Sequence, residues 1–159
     1  MPRTYRRILE RTGVALGVAL ASTVFVASPA SAHSLGSVVV SERGCGWPNG
    51  DYSVLDWADI PDERNNITLA TAYLLWNGQY QENCVVTRRV GQAHGVTGFT
   101  EAILERQGRA TVSDSGQYAH YAAASGYAAN TCVRWWASVQ TLGGGPIWGT
   151  GRSTWGNCG

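Results

Sequence analysis

Three histidines are the residues of this chain whose type and spacing could hold a metal ion. His33, His94 and His120 are its only histidines, and imidazole nitrogen is a good ligand for copper and zinc. His33 follows the small residues at 30–32 (Ala-Ser-Ala), which a signal peptidase requires. Cleavage after residue 32 would make His33 the mature N-terminus, where its amine and ring can chelate copper together and His94 or His120 can supply the next ligand. The alternative is a frayed terminal histidine, as is common at chain ends.

The first 32 residues have the features of a secretory signal peptide. Four arginines lie within the first 11 residues, and an apolar run covers residues 13–27. This run is too short to span a bilayer comfortably. We therefore expect residues 1–32 to be a signal peptide and residues 33–159 to be one secreted domain, with no membrane contact in the mature form. A membrane anchor is the alternative.

The net charge gives no support for nucleic-acid binding. All twelve basic residues are arginine, and the formal net charge is +1. The first 32 residues hold four of those arginines and one of the eleven acidic residues, so the rest carries a charge of about −2. A weakly acidic domain of this size lacks the basic patch that nucleic acid requires.

Four cysteines predict a disulfide framework. Cys45, Cys84, Cys132 and Cys158 all lie after residue 32. They are too widely spaced for a zinc site and are even in number, as in exported proteins. Three pairings are possible. The hairpin expected around residues 143–146 favours the pair Cys132–Cys158, which leaves Cys45–Cys84 as the second pair.

Most apolar residues follow the period of two that is typical of strands. In residues 132–140, Val133 and Trp135 share one face with later apolar residues, and Arg134 and Trp136 share the other. We therefore expect Trp135 to point inward and Trp136 outward.

The remaining pattern predicts an all-β domain. Residues 66–76 are apolar on both faces, which indicates a central strand, and residues 83–90 return as its partner after an Asn-Gly turn. The fold class expected is a small antiparallel β-sandwich or flattened barrel of about seven or eight strands. Further strands are expected at 38–42, 52–55, 110–113, 118–124 and 147–154; residues 100–106 favour an extended strand over a helix, and residues 56–66 a surface loop.

The tryptophans are the other feature that could bind a ligand. Seven are present, and four lie in the last 25 residues. Trp136, Trp148 and Trp155, with Arg134, form a candidate aromatic platform for stacking sugar rings or docking a protein. The alternative is that they fill the core, as tryptophans do in small sandwiches.

An Asp-Ser-Gly segment at 114–116 is superficially similar to the nucleophile segment of trypsin-like proteases. That site needs a base and an orienting acid, and no flanking signature supplies them. We expect instead a turn before the strand at 118–124.

Five short motifs follow one another in a recognisable order. They are Cys-Gly at 45–46, Asn-Cys-Val-Val-Thr at 83–87, Asp-Ser-Gly-Gln-Tyr at 114–118, Cys-Val with a Trp at 132–135 and Cys-Gly at 158–159. Together they resemble the spore-associated protein A family of filamentous actinomycetes, over about residues 43–159. The resemblance implies a secreted protein associated with spore or hyphal surfaces, and no catalytic residue is carried over.

These observations leave three functional hypotheses. The first is a non-catalytic protein of the spore or cell surface that binds cell-wall or extracellular polysaccharide or a surface partner, without a cofactor. The second is a small copper-dependent enzyme, because the segment that begins at His33 and includes Ser41, Arg43 and Cys45 resembles the start of lytic polysaccharide monooxygenases. Its copper ligands would be His33, His94 and His120. The third is a secreted inhibitor or antimicrobial domain.

Overall fold

Two four-stranded antiparallel sheets face each other as a β-sandwich. The computed structural model describes residues 33–158, so the predicted signal peptide lies outside the described residues. The all-β prediction is confirmed, with eight strands and two disulfides. The strands are β1 (Ser53–Asp62), β2 (Ile67–Asn77), β3 (Glu82–Arg89), β4 (Gly98–Arg106), β5 (Val112–Tyr118), β6 (Tyr121–Tyr127), β7 (Val133–Gln140) and β8 (Ile147–Gly156).

The chain moves between the two sheets three times. The first sheet has the order β1-β2-β3-β6, and the second has the order β5-β4-β7-β8. The β3–β4 connection and the β5–β6 turn therefore both link one sheet to the other. Because β3 pairs with β6 and β4 pairs with β5, both antiparallel, these two connections lie at the same end of the sandwich.

Strand β7 shows how alternating side chains build the core. Val133, Trp135, Ala137 and Val139 are buried, and the residues between them are partly exposed. The predicted inward position of Trp135 and the outward position of Trp136 are confirmed. The Trp135 indole N–H donates to a carboxylate oxygen of Asp56 at 3.1 Å, so the one polar group of this buried ring is satisfied.

Strand β2 is central, as predicted, and is covered on both faces. Leu69 and Leu74 are buried between the sheets, whereas Leu75 is buried on the outer face of the first sheet. A second apolar cluster covers that outer face, built from the chain before β1.

One prediction is wrong in the segment that forms this second cluster. Residues 38–42 were expected as a strand, but Leu35–Val40 form a short helix, α1. The Ser34 hydroxyl caps it by accepting from the Ser37 N–H at 3.1 Å. Val38 and Val39 are fully buried in the second cluster. Tertiary burial therefore overrides the β preference of the valines.

Both favoured disulfides are present. Cys45–Cys84 ties the segment after α1 to β3, and Cys132–Cys158 joins the start of β7 to the residues after β8. The first bridge crosses the second cluster, where Cys84 and Trp47 are buried. It therefore holds the N-terminal segment on the first sheet.

The expected loop at 56–66 is wrong, because β1 continues to Asp62. Its ladder with β2 is interrupted between Val54 and Asp56 and between Ile60 and Pro61. These irregularities break the period of two and allow a proline within an edge strand.

The expected turn at Asp-Ser-Gly is also wrong, because these residues lie within β5. The predicted strands at 110–113 and 118–124 shift accordingly, and the chain reverses at Ala119 and His120. Asp114 accepts from the Tyr118 hydroxyl at 2.7 Å and from the Ala123 backbone N–H at 3.0 Å. It therefore joins β5 to β6 across the two sheets. The prediction of an extended strand at residues 100–106 is confirmed, because these residues belong to β4.

Candidate metal centre

The fold brings all three histidines together at one end of the sandwich. His33 lies two residues before α1, His94 ends the 3₁₀ turn Gly91–Ala93 that follows β3, and His120 lies in the β5–β6 turn. One ligand atom from each of the three lies within 4.8 Å of those from the other two. The three residues are 61 and 26 positions apart in the chain, so only the tertiary fold can assemble them.

The nitrogen atoms are spaced as ligands of one ion would be. The Nε2 atom of His94 lies 3.5 Å from Nδ1 of His33 and 3.1 Å from Nδ1 of His120. The backbone N–H of His33 donates to the same Nε2 atom at 3.3 Å. Metal–nitrogen bonds of about 2.0–2.1 Å place two ligands about 2.8–3.4 Å apart, from a right angle to a tetrahedral angle. One metal ion therefore fits among these nitrogens with small adjustments.

His94 can reach an ion through one nitrogen only. Its Nδ1 atom is buried and has no hydrogen-bond partner within residues 33–158. Its Nε2 atom faces His33 and His120. The neutral ring with its proton on Nδ1 therefore leaves Nε2 free to act as a ligand.

Two backbone hydrogen bonds join the loops that carry His94 and His120. The Gly95 N–H donates to the carbonyl of Ala119 at 2.8 Å, and the Arg89 N–H donates to the carbonyl of His120 at 2.8 Å. These bonds join the β3–β4 connection directly to the β5–β6 turn.

A buried arginine supports the His94 loop from inside. The Arg89 side chain is 1% exposed and donates from Nε to the Ala93 carbonyl at 3.1 Å. Its guanidinium also donates to the Thr100 hydroxyl at 3.1 Å. Because a buried guanidinium needs such acceptors, Arg89 restrains the loop just before His94.

The neighbouring Arg88 holds the third histidine. It donates from Nη1 to the His33 carbonyl at 3.1 Å, and its guanidinium lies 5.9 Å from the centre of the Tyr73 ring. This contact keeps His33 near the other two rings before any ion is bound.

The electrostatic environment favours neutral imidazoles. Burial lowers the pKa of His94, and the nearby His120, His33 and Arg88 add to the effect. Burial, followed by the charge of His33, lowers the pKa of His120. Both rings therefore favour at neutral pH the unprotonated form that binds metal.

An open cleft of about 510 Å³ adjoins this cluster. Sequence analysis named Arg43 and Tyr118 only as members of motifs, because their positions in the chain do not indicate that they share a cavity. The cleft is lined by His33, His120, Arg43, Asp114, Tyr118, Ala119 and Tyr121.

Part of the predicted aromatic platform lies together on the outer face of the second sheet. The Arg134 guanidinium lies 5.2 Å from the centre of the Trp136 ring and 4.6 Å from that of Trp155. Glu105 accepts from Arg134 Nε at 2.7 Å. Trp148 lies apart from this set, since it pairs with Val139 and packs against the core.

Three comparisons of this chain with known proteins found no similar protein. No family model matches the chain, and neither a curated protein nor a solved structure is significantly similar to it. Within residues 33–158, no helix is long and apolar enough to cross a membrane. The fold and the site therefore define the chain as a disulfide-bonded β-sandwich, of a kind consistent with an extracellular protein, with three histidines clustered at one end.

Proposed function

We propose that this chain is an exported protein that binds a copper ion through His33, His94 and His120. The observation that carries the proposal is the spacing of 3.1–3.5 Å between Nε2 of His94 and its nitrogen neighbours. His94 and His120 favour the neutral form, and a metal ion can accept the lone pairs of imidazole nitrogens that lie this close together.

The chemistry of the ligands favours copper over other ions. The cluster offers imidazole nitrogens, whereas magnesium and calcium prefer oxygen. The four cysteines are tied in disulfides, so no thiolate competes for the ion. Among divalent first-row metals, copper binds a given set of nitrogen ligands most tightly.

The backbone nitrogen of His33 can add a further ligand once the predicted signal peptide is removed. As part of a peptide bond it only donates a hydrogen bond, to His94. As a free terminal amine it has a lone pair and lies close enough to His94 Nε2 to share the same ion. Amine and ring of one residue then chelate copper together.

Titration of the secreted protein with Cu(II), followed by calorimetry and electron paramagnetic resonance, tests the proposal. We expect one equivalent per chain with nitrogen hyperfine structure, and loss of this binding in His94→Ala and in His120→Ala. Trp136→Ala is the matched control, since it lies on the second sheet away from the cluster, and should bind normally. Equal copper binding in all four proteins would refute the site.

A one-residue extension tests the amine separately. Protein with an alanine added before His33 keeps all three rings but moves the free amine. Weaker copper binding and a changed resonance spectrum are expected. Unchanged binding would show that the imidazoles act without the amine.

We also propose that the protein attaches to cell-wall or extracellular polysaccharide at the cell or spore surface, through the outer face of the second sheet. The arrangement of Arg134 between Trp136 and Trp155, which is 41% exposed, supports it. Exposed aromatic rings stack on sugars. Trp136→Ala should reduce retention on insoluble glycans, whereas Trp148→Phe should not; equal retention would contradict this role.

Oxidative cleavage of such a polysaccharide by the bound copper is the enzymatic form of the proposal. Copper-loaded protein incubated with insoluble glycan, a reductant and oxygen would then release oxidised oligosaccharides, and the His94→Ala protein would not.

A further inference from the structure

The cleft beside the three histidines has the properties of a ligand site. His33 and His120 lie in its wall, whereas His94 does not line it. His94 would therefore bind such an ion from the side away from the cleft, and the opposite side of the ion would face the cleft. Its remaining coordination positions are open to a molecule in the cleft.

Arg43 supplies a second positive charge to the same cleft. Its side chain is exposed and, within the described part of the chain, makes no ion pair or side-chain hydrogen bond. It lines the cleft together with Tyr118 and His33. A guanidinium without a protein partner is available for an anion, which it binds through two parallel hydrogen bonds.

The carboxylate in the cleft cancels only part of the positive charge when a divalent ion is bound. Both oxygens of Asp114 are engaged, one by the Tyr118 hydroxyl at 2.7 Å and the other by the Ala123 N–H at 3.0 Å. A divalent ion and Arg43 together exceed the single negative charge of Asp114.

The tyrosines give the cleft apolar walls. The Tyr118 hydroxyl donates to Asp114, and the Tyr121 hydroxyl donates to Ser41 at 3.0 Å. With their polar ends occupied, the two residues offer ring surface to the cleft, and flat ring-shaped ligands pack well on such surfaces.

We propose that the cleft binds a small carboxylate, with its oxygens on the metal ion and Arg43 and its ring against Tyr118 and Tyr121. A carboxylate can bind a metal ion through one oxygen and a guanidinium through the other, and a carboxylate on a ring also uses the tyrosine walls. The ring can be aromatic or that of a sugar acid. The proposal depends on the copper site proposed above.

The test titrates copper-loaded protein with benzoate and with glucuronate, and with benzyl alcohol and glucose as uncharged analogues. Calorimetry gives the affinity, and the copper resonance spectrum reports entry into the coordination sphere. We expect at least one carboxylate to bind and shift the spectrum, and its uncharged analogue to do neither. Benzoate binding alone would identify an aromatic acid, and glucuronate binding alone would identify a sugar acid.

Variants of Arg43 separate the guanidinium from the metal. Arg43→Gln should weaken carboxylate binding about tenfold with copper affinity unchanged, and Arg43→Lys should weaken it less. Arg109→Gln is the matched control, since Arg109 lies in the β4–β5 turn at the far end of the sandwich.

The possible failures are distinguishable. Normal copper binding with no response to either carboxylate, or with the same response in Arg43→Gln, overturns the carboxylate site and leaves the copper site intact. Absence of copper binding removes both proposals.

Discussion

The two disulfides allow stability and metal binding to be separated within one molecule. Cys45–Cys84 holds the segment that carries His33, whereas Cys132–Cys158 lies at the end of β7 that pairs with the far end of β4. We predict that replacing either pair by alanine destabilises the fold to a similar extent. Only loss of Cys45–Cys84 should weaken copper binding.

The expected magnitudes come from the loops that the bridges close. With sequence separations of 39 and 26 between the paired cysteines, restriction of the unfolded chain contributes about 3.9 and about 3.5 kcal/mol. The difference of about 0.4 kcal/mol is within the error of a denaturation experiment. Without Cys45–Cys84, no covalent bond ties the N-terminal segment to the first sheet. Packing in the second cluster and single hydrogen bonds, such as those from Arg88 to His33 and from Tyr121 to Ser41, then hold it less firmly. His33 must then be ordered when copper binds, and we expect affinity to fall at least tenfold.

Urea denaturation and copper titration of the two double variants measure these effects. The Cys132→Ala/Cys158→Ala protein should lose stability but bind copper within twofold of the parent. Equal loss of copper affinity in both variants would refute the idea that the N-terminal segment positions the site. Full stability of either variant would refute the chain-entropy estimate.

Three further predictions concern the histidine end of the fold. Free copper at 100 times Kd should raise the free energy of unfolding by about 2.7 kcal/mol and Tm by about 10 °C, measured by scanning calorimetry, with no shift in His94→Ala. Metal-free protein should lose stability as the pH falls below the ordinary histidine value of about 6.5. The pKa of His94 and of His120 is lowered in the fold, so the unfolded chain binds more protons than the folded protein as the pH falls. The urea midpoint of His120→Gln should therefore depend less on pH than that of the parent. An equally steep dependence in the variant would contradict this explanation. Arg89→Met should remove the donors to Ala93 and Thr100, cost about 2–4 kcal/mol, and weaken copper binding; stability equal to the parent would show that Arg89 does not restrain the loop.

The parts of the fold that sequence could predict are those in which local pattern and burial agree. Strand β7 alternates strictly, and the hairpin to β8 led to the correct pairing of Cys132 with Cys158. Prediction failed at α1, where valines with β preference are buried in a helix, and at β1, where two irregularities hide the alternation. In both cases packing on the first sheet decides the conformation, and a local pattern does not report that packing.

The sequence allowed us to predict which residues could bind a metal ion, but not that the fold brings all three together. Imidazole chemistry and the expected cleavage before His33 named the three possible ligands. Which of His94 and His120 would join His33 depended on the sheet order, because each lies in a connection between sheets. The structure brings both to His33, which neither spacing nor composition indicates.

If the protein is exported as proposed, two covalent events shape the histidine end of the fold. The bridge Cys45–Cys84, which fixes the N-terminal segment, forms in an oxidising compartment. The free amine of His33, on the proposed processing, exists only after the signal peptide is cut. A reduced, uncut precursor would lack both the anchored segment and the amine, and would keep only His94 and His120, held together by their loops. Tight copper binding is therefore expected of the exported form alone, and a precursor with residues 1–32 still attached should bind copper more weakly even when both disulfides are formed.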